Sequence, residues 1–396
     1  MVAATGPAPR PRWRRALTAG VATGVLVLAP LGGTAWAEPA VEVGAGVGCD
    51  SSATARLDEV VTATLERTGV PGAIVGVSGP GCRYEAAFGV ADKATGAPMR
   101  TDFHSRIGSE TKTFTVTALL QLVDDGAVAL DDPIGEYVAG VPEGDRITLR
   151  QLARMQSGLF NYSADEDFFQ ALVSDPYRSF TPQELLGYSF AHPLNFPPGA
   201  GWEYSNTNTI LLGLVVEEVS GQPLHEYLDE EVLEPLALDD TVFPTDNAFP
   251  EPHAEGYTVH DGTEIVATDF NPSWGWAAGA MTSTLDDLHT WAHALATGTL
   301  LEPETQAQRL ETAAPEGAPP GLGYGLGLFV VSGWIGHNGS LPGYQSLTLY
   351  LPEQQTSLVV LLNSDAPPLS GDAAASSSAF GTAITEVVSP GHVFRL

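Results

Sequence analysis

Lysine is almost absent from this chain of 396 residues, which holds only Lys93 and Lys112. Cysteine is as scarce, at Cys49 and Cys82 alone. Basic residues of both kinds number 17 against 48 acidic ones, a formal charge of -31. A surface of that sign repels phosphate backbones and anionic lipid, so nucleic-acid binding is excluded as a leading function, and no motif argues for it. Beyond the first 37 residues, no apolar run is long enough to span a bilayer. No histidine lies near either cysteine in sequence, and Arg83, beside Cys82, stays protonated and cannot act as a base. That excludes a thiol nucleophile. The nine histidines are scattered, and only His289 and His293 have the i, i+4 spacing of zinc ligands, without the glutamate that His-Glu-x-x-His requires. Neither a metal nor a cofactor is expected.

What the sequence does carry begins with a leader. Arg10, Arg12, Arg14 and Arg15 precede an apolar run at 16–31, and Ala35-Trp36-Ala37 offers small residues where a signal peptidase reads. This is the order of an export signal, so residues 1–37 read as a signal peptide and the product as secreted or extracytoplasmic. Because no charge lies between Ala16 and Ala37, an uncleaved anchor stays open as the alternative. The twin Arg14-Arg15 leaves the export route open as well. Cleavage would leave 13 basic residues against the same 48 acidic ones. In an exported chain, Cys49 and Cys82 can form a disulfide; two buried free thiols are the other reading.

Apolar periodicity predicts a helix over 53–68 ended by Gly69, then a hairpin of strands 73–78 and 84–89 around Gly79-Pro80-Gly81. Further helices are expected over 111–123, 207–220 and 284–296, the second capped by Gly221. Strands return at 326–331, 345–351 and 357–363, and the last is so apolar that it belongs in the centre of a sheet. The stretch 371–387 reads as a helix over the sheet or a loose tail. The expected organisation is an α/β (α+β) fold: an antiparallel sheet flanked by helices, built from 38–130 plus 272–396, with a mostly helical domain at 131–271 between them.

Three segments can carry chemistry. In Ser109-Glu110-Thr111-Lys112, a helix that opens at the serine places the lysine one turn on. Burial or neighbouring positive charge would lower the pKa of that amine and let it take the serine proton. With only two lysines in the chain, one inside an otherwise apolar helix is a poor surface charge. The second segment, Tyr204-Ser205-Asn206, sets a phenol and an amide on one loop before a helix. Lys112 as a cation would lower the Tyr204 pKa, and Asn206 would orient Lys112. The third, His337-Asn338-Gly339-Ser340, reads as an edge strand that a substrate can approach closely. The backbone N–H groups of Ser109 and Ser340 could pair there as an oxyanion hole. Each segment also has a structural reading as cap, turn or hairpin.

Taken together, these segments resemble the serine beta-lactamase and penicillin-binding-protein superfamily. The likeness is strongest to class C beta-lactamases and to secreted actinobacterial D-alanyl-D-alanine carboxypeptidases. Ser109-Glu110-Thr111-Lys112 matches Ser-x-x-Lys, Tyr204-Ser205-Asn206 matches Tyr-x-Asn, and His337-Asn338-Gly339 matches His/Lys-x-Gly, in the family's order. Lesser landmarks agree, among them Gln156-Ser157-Gly158-Leu159 and Ala277-Ala278-Gly279.

The resemblance implies a beta-lactamase/transpeptidase-like fold and an acyl-enzyme on Ser109. Lys112 and Tyr204 would share base and acid duty, Asn206 would position them, and His337 would lie near a substrate carboxylate. A D-alanyl-D-alanine carboxypeptidase is the leading implied activity. An esterase, a beta-lactamase, a D-amino-acid amidase and a non-catalytic cell-wall peptide-binding protein are the alternatives. Expected partners are small peptides or esters, including peptidoglycan stem peptide, and beta-lactams as inhibitors or substrates. Two departures matter. Met155 stands where many relatives have histidine, and there is no Arg or Lys between Glu311 and Phe394 to receive a terminal carboxylate.

Overall fold

The computed structural model describes residues 49–312, 321–369 and 375–396; the expected signal at 1–37 lies outside them. The N-terminal part supplies strands β1 (Gly72–Gly79), β2 (Cys82–Asp92), β3 (Ala97–Pro98) and β4 (Ser105–Arg106). A hairpin of β5 (Tyr257–His260) and β6 (Thr263–Val266) and the short β7 (Thr282–Ser283) follow. The C-terminal part adds β8 (Leu322–Tyr324), β9 (Phe329–Val331), β10 (Trp334–Leu341), β11 (Tyr344–Leu351) and β12 (Thr356–Leu362). Eight of these form one sheet in the order β3-β2-β1-β12-β11-β10-β9-β8. Every pairing in it is antiparallel.

The two chain ends meet at the β1–β12 seam, where Ala73 opposes Leu362 and Val77 opposes Leu358. Strand β12 therefore sits inside the sheet, as its unbroken apolar run requires. Its side chains alternate between two cores. Leu358, Val360 and Leu362 join Ala73, Val75 and Val77 on one face, under Leu57, Val61, Phe380 and Ile384. Val359 and Leu361 point the other way with Ile74, against Phe114, Leu288 and Trp291.

Helices cover both faces. Helix α1 (Ser51–Thr68) starts on Asp50, whose side chain accepts from Ser52 N and Ala53 N, and ends at left-handed Gly69. Helix α2 (Thr111–Asp124) is buried around most of its circumference. Between them and the C-terminal strands run α3 (Leu149–Ala153), α4 (Glu166–Ser174), α5 (Pro182–Phe190), α6 (Asn206–Ser220), α7 (Leu224–Leu228) and α8 (Glu234–Leu236). These form the helical insertion. The hairpin β5–β6, not foreseen in the sequence, follows it and docks back on the sheet through Tyr257 N to Asn363 O at 3.0 Å. Helices α9 (Leu285–Thr297) and α10 (Pro303–Leu310) return the chain to the sheet. The last helix, α11 (Ser376–Val388), packs beside α1 and resolves the helix-or-tail question for its residues.

One expectation fails. The third motif is not on an edge strand, because β9 and β8 lie outside β10. Yet β9 pairs only with Trp334–Gly336, so the motif itself runs past it and keeps a free edge. Among the described residues, no helix is long and apolar enough to cross a membrane.

Cys49 and Cys82 are joined by a disulfide spanning 33 residues, which ties the approach to α1 to the start of β2. A loop of that length should contribute about 2–4 kcal/mol. Chemical denaturation of Cys82→Ser should show that loss, and wild type under reducing conditions should match the variant. An unchanged midpoint would mean that the bond constrains nothing.

Candidate active site

The site begins with two glycines that let backbones touch. The chain leaves β4 through Ile107 into a short 3-10 turn, Gly108–Glu110, and only then enters α2 at Thr111. Gly108 is left-handed (φ 51°), and a Cβ there would lie 2.8 Å from Ser340 N. Across the gap, a Cβ on Gly339 would overlap Ile107 O. Side chains are thus excluded from this contact on both sides, which brings Ser340 N beside the turn that carries Ser109. Ser346 of β11 fastens the arrangement, its hydroxyl donating to Ile107 O at 2.9 Å.

Lys112 is fully buried one turn after Ser109. Its Nζ donates to Ser109 Oγ at 3.0 Å and to Ala278 O at 2.7 Å. Burial holds its pKa well below the ordinary lysine value and so favours the neutral amine. The Tyr204 ring lies over the same nitrogen, 4.9 Å from it. Burial pushes the Tyr204 pKa up, and the nearby Ser109 hydroxyl offsets this only in part. Burial disfavours the charged form of both groups, which runs against the expected lowering of Tyr204 by a cationic Lys112.

The nitrogens of Asn206 bond within the helical insertion. Its amide nitrogen donates to Ser163 Oγ at 3.0 Å, and its backbone N–H donates to Asn161 Oδ1 at 3.1 Å. Neither bond reaches Lys112, whose carbonyl partner is Ala278, part of a stretch singled out in the sequence only as a landmark. On the stretch from Trp202 to Asn206, the buried atoms Trp202 Nε1, Tyr204 Oη, Ser205 Oγ and Asn206 Oδ1 have no protein partner. Buried polar atoms are nearly always paired, so such a concentration marks a place where the protein does not complete its own hydrogen bonding.

His337 is buried, and its Nδ1 donates to Asn338 O at 2.6 Å. That leaves Nε2 as an acceptor for the Tyr324 hydroxyl, 3.3 Å away. Burial lowers the His337 pKa to about 3, so at neutral pH the third motif carries no charge. Tyr324 was missed in the sequence, since a lone tyrosine in Gly-Leu-Gly-Tyr-Gly has no signal apart from its partner. Its ring also packs edge-on against Trp202 and Tyr204. The two most buried guanidinium groups are engaged elsewhere. Arg309 donates to Thr117 Oγ1 and Thr113 O, and Arg106 donates to Thr268 O and lies over the Phe249 ring. His289 and His293 line one pocket away from Ser109, the first bonding Ser357 Oγ at 2.7 Å and the second meeting the Tyr350 ring.

A serine at a helix entrance, a buried amine and phenol against it, and a strand N–H facing its turn make up one acyl-transfer geometry. Residues 57–380 match the sequence model of the family described as Beta-lactamase. The chain belongs to the beta-lactamase family. Among curated proteins it is 32% identical over 311 residues to esterase EstB of Burkholderia gladioli, covering 70% of this chain and 79% of that protein. Among solved structures it resembles a D-stereospecific amidohydrolase from Streptomyces sp. The TM-score is 0.76 at 32% identity, over 85% of this chain and 99% of that one. It is also similar to the D-amino acid amidase of Ochrobactrum anthropi SV3, with TM-score 0.72 at 30% identity, over 87% of this chain and 97% of that one.

The glycine contact can be tested directly. Gly339→Ala must push β10 off Ile107, at a cost of about 1–3 kcal/mol. Its thermal unfolding should fall accordingly, and reaction at Ser109 should drop further than stability alone explains. A variant with wild-type stability and reactivity would show that the close approach is dispensable.

Proposed function

We propose that this protein hydrolyses amides or esters of D-amino acids, and related small acyl donors, through an acyl-enzyme on Ser109. The observation that carries this reading is the uncharged third motif. A carboxypeptidase must hold a free terminal carboxylate, and a cation is the strongest partner for one. Here His337 is neutral, Arg106 and Arg309 are bonded to other groups, and β8 through α11 contribute no lysine or arginine. A D-amino-acid amide has no carboxylate to satisfy. The likeness to the D-stereospecific amidohydrolase and the D-amino acid amidase supports the same class. It ranks above the carboxypeptidase that the sequence motifs suggested first.

In the proposed reaction, neutral Lys112 takes the Ser109 proton as Oγ attacks the acyl carbon. The N–H groups of Ser109 and Ser340 stabilise the developing oxyanion. The protonated Tyr204 phenol, beside Ser109, donates to the leaving amine and recovers a proton through Lys112, so the acyl-enzyme forms with ammonia or an alcohol released. Water then repeats the sequence in reverse: its proton passes to the same groups, and Ser109 leaves protonated. His337, held by Tyr324 and Asn338 O, keeps the floor of the site neutral.

The similarity to EstB favours an esterase as the second reading. Comparing kcat/KM for D-phenylalanine amide, its L isomer, a D-alanyl-D-alanine peptide and a p-nitrophenyl ester separates the possibilities. The D-amide should be preferred over its isomer and over the peptide. Turnover confined to the p-nitrophenyl ester would move the assignment to an esterase, and preference for the peptide would restore the carboxypeptidase. Ser109→Ala should form no covalent adduct with any of them, while Lys112→Ala should lose about 10²–10⁴-fold in rate. Benzylpenicillin, which carries a carboxylate, should acylate Ser109 more slowly than the neutral ester does, as read by intact mass.

A further inference from the structure

Glu110, between Ser109 and Lys112 in the motif, has no part in the reaction just described. It is 1% exposed, and both of its carboxyl oxygens are sealed from solvent with no hydrogen-bond partner. The polar groups that act on it are the hydroxyls of Thr348 and Ser346 on β11. Thr348 Oγ1 is likewise buried without a partner. Ser346 has already donated its proton to Ile107 O, so towards Glu110 it can only accept. An ionised carboxylate would therefore find at most one hydroxyl proton in this pocket, and burying a charge with so little compensation is costly. A neutral carboxylic acid fits the donors and acceptors: its O–H can meet Ser346 Oγ, while its carbonyl accepts from Thr348.

We propose that Glu110 is a positioning residue that works as the neutral acid. In that form it fastens the turn carrying Ser109 to β11 and sets the spacing of the two oxyanion N–H groups. The link is short. Ser346 bonds Ile107 O at the base of the turn and lies directly opposite Gly339 on β10, next to Ser340. This inference rests on Ser109 being the nucleophile.

Burial pushes the Glu110 pKa up to about 8. Burial also acts on other titratable groups around it. It holds Lys112, on its own helix, well below the ordinary lysine value, and His337, opposite Thr348, titrates near 3. Burial raises Tyr344 and Tyr350 on β11 above the ordinary phenol value. On α9, which packs on β11, His289 titrates near 3, and His293 is against Tyr350. Ionisation of Glu110 would remove the proton it can offer to Ser346 and leave a buried charge with little compensation. Loss of that tie lowers reactivity as pH rises through 8. The stability sign agrees: the unfolded carboxyl ionises near 4.5 and the folded one near 8, so stability is lost across that window as pH rises.

The test is the rate at which a fluorophosphonate labels Ser109, followed by intact mass across the Glu110 titration. Wild type, Glu110→Gln, Glu110→Ala and Ser109→Ala are compared, with thermal unfolding of each. Glu110→Gln should keep the neutral-pH rate, lose the alkaline fall, and flatten the pH dependence of its melting temperature. Glu110→Ala, still folded, should label about tenfold more slowly, the worth of one net hydrogen bond. Ser109 labelling in Glu110→Gln with an unchanged pH profile, or as slow as in Glu110→Ala, would overturn the inference alone. No Ser109-dependent adduct in any protein would overturn the nucleophile assignment, and this inference with it.

Discussion

The site depends on two stretches of backbone lying closer than side chains permit. At Gly108 and Gly339 the turn before α2 and the strand β10 meet with nothing between them. That contact sets where Ser109 points, which strand N–H faces it, and how deeply Lys112 is sunk. The depth in turn decides the chemistry. An exposed lysine would stay charged and could not accept a proton, whereas this one is desolvated by the same packing that fixes its reach to Ser109. Geometry and proton affinity are therefore one property here, and a shift of β10 would change both.

Neutrality extends beyond the lysine. Tyr204 and His337 are also buried, and burial drives each towards its uncharged form. In a chain of formal charge -31 the site is an electrically quiet interior beneath an anionic surface. Such a field draws cationic small molecules and turns away carboxylates before they reach the cleft. The departure from a cation-bearing third motif and the overall acidity thus act in the same direction.

Much of this was legible in the residues. The glycines at 69 and 221 end α1 and α6 because only the left-handed region closes those helices, and glycine enters it freely. The unbroken apolar run of β12 announced a strand covered on both faces. The three motifs were legible because each pairs residue types whose chemistry is rare by chance. What stayed hidden depends on partners distant in sequence. Tyr324 matters through His337, Ala278 through its carbonyl, and Asn206 bonds Ser163. The third motif could not be placed within the sheet because the expected strand at 326–331, which contains β9, shows nothing locally of its pairing with β10, and β8 is only three residues long. Glu110 offered a clue that local reading passes over: an acidic residue at the mouth of an otherwise apolar helix.

The β1–β12 seam has a consequence for how the chain must be made. Ala73 cannot meet Leu362 until almost the whole polypeptide has left the ribosome. Until then the first hairpin carries an open inner edge, a row of unpaired N–H and C=O groups flanked by apolar side chains. Pairing across so long a loop is slow, and no sheet can close around a partial product. A chain built this way stays unfinished throughout synthesis. The danger of aggregation therefore falls in the interval before the last strand arrives.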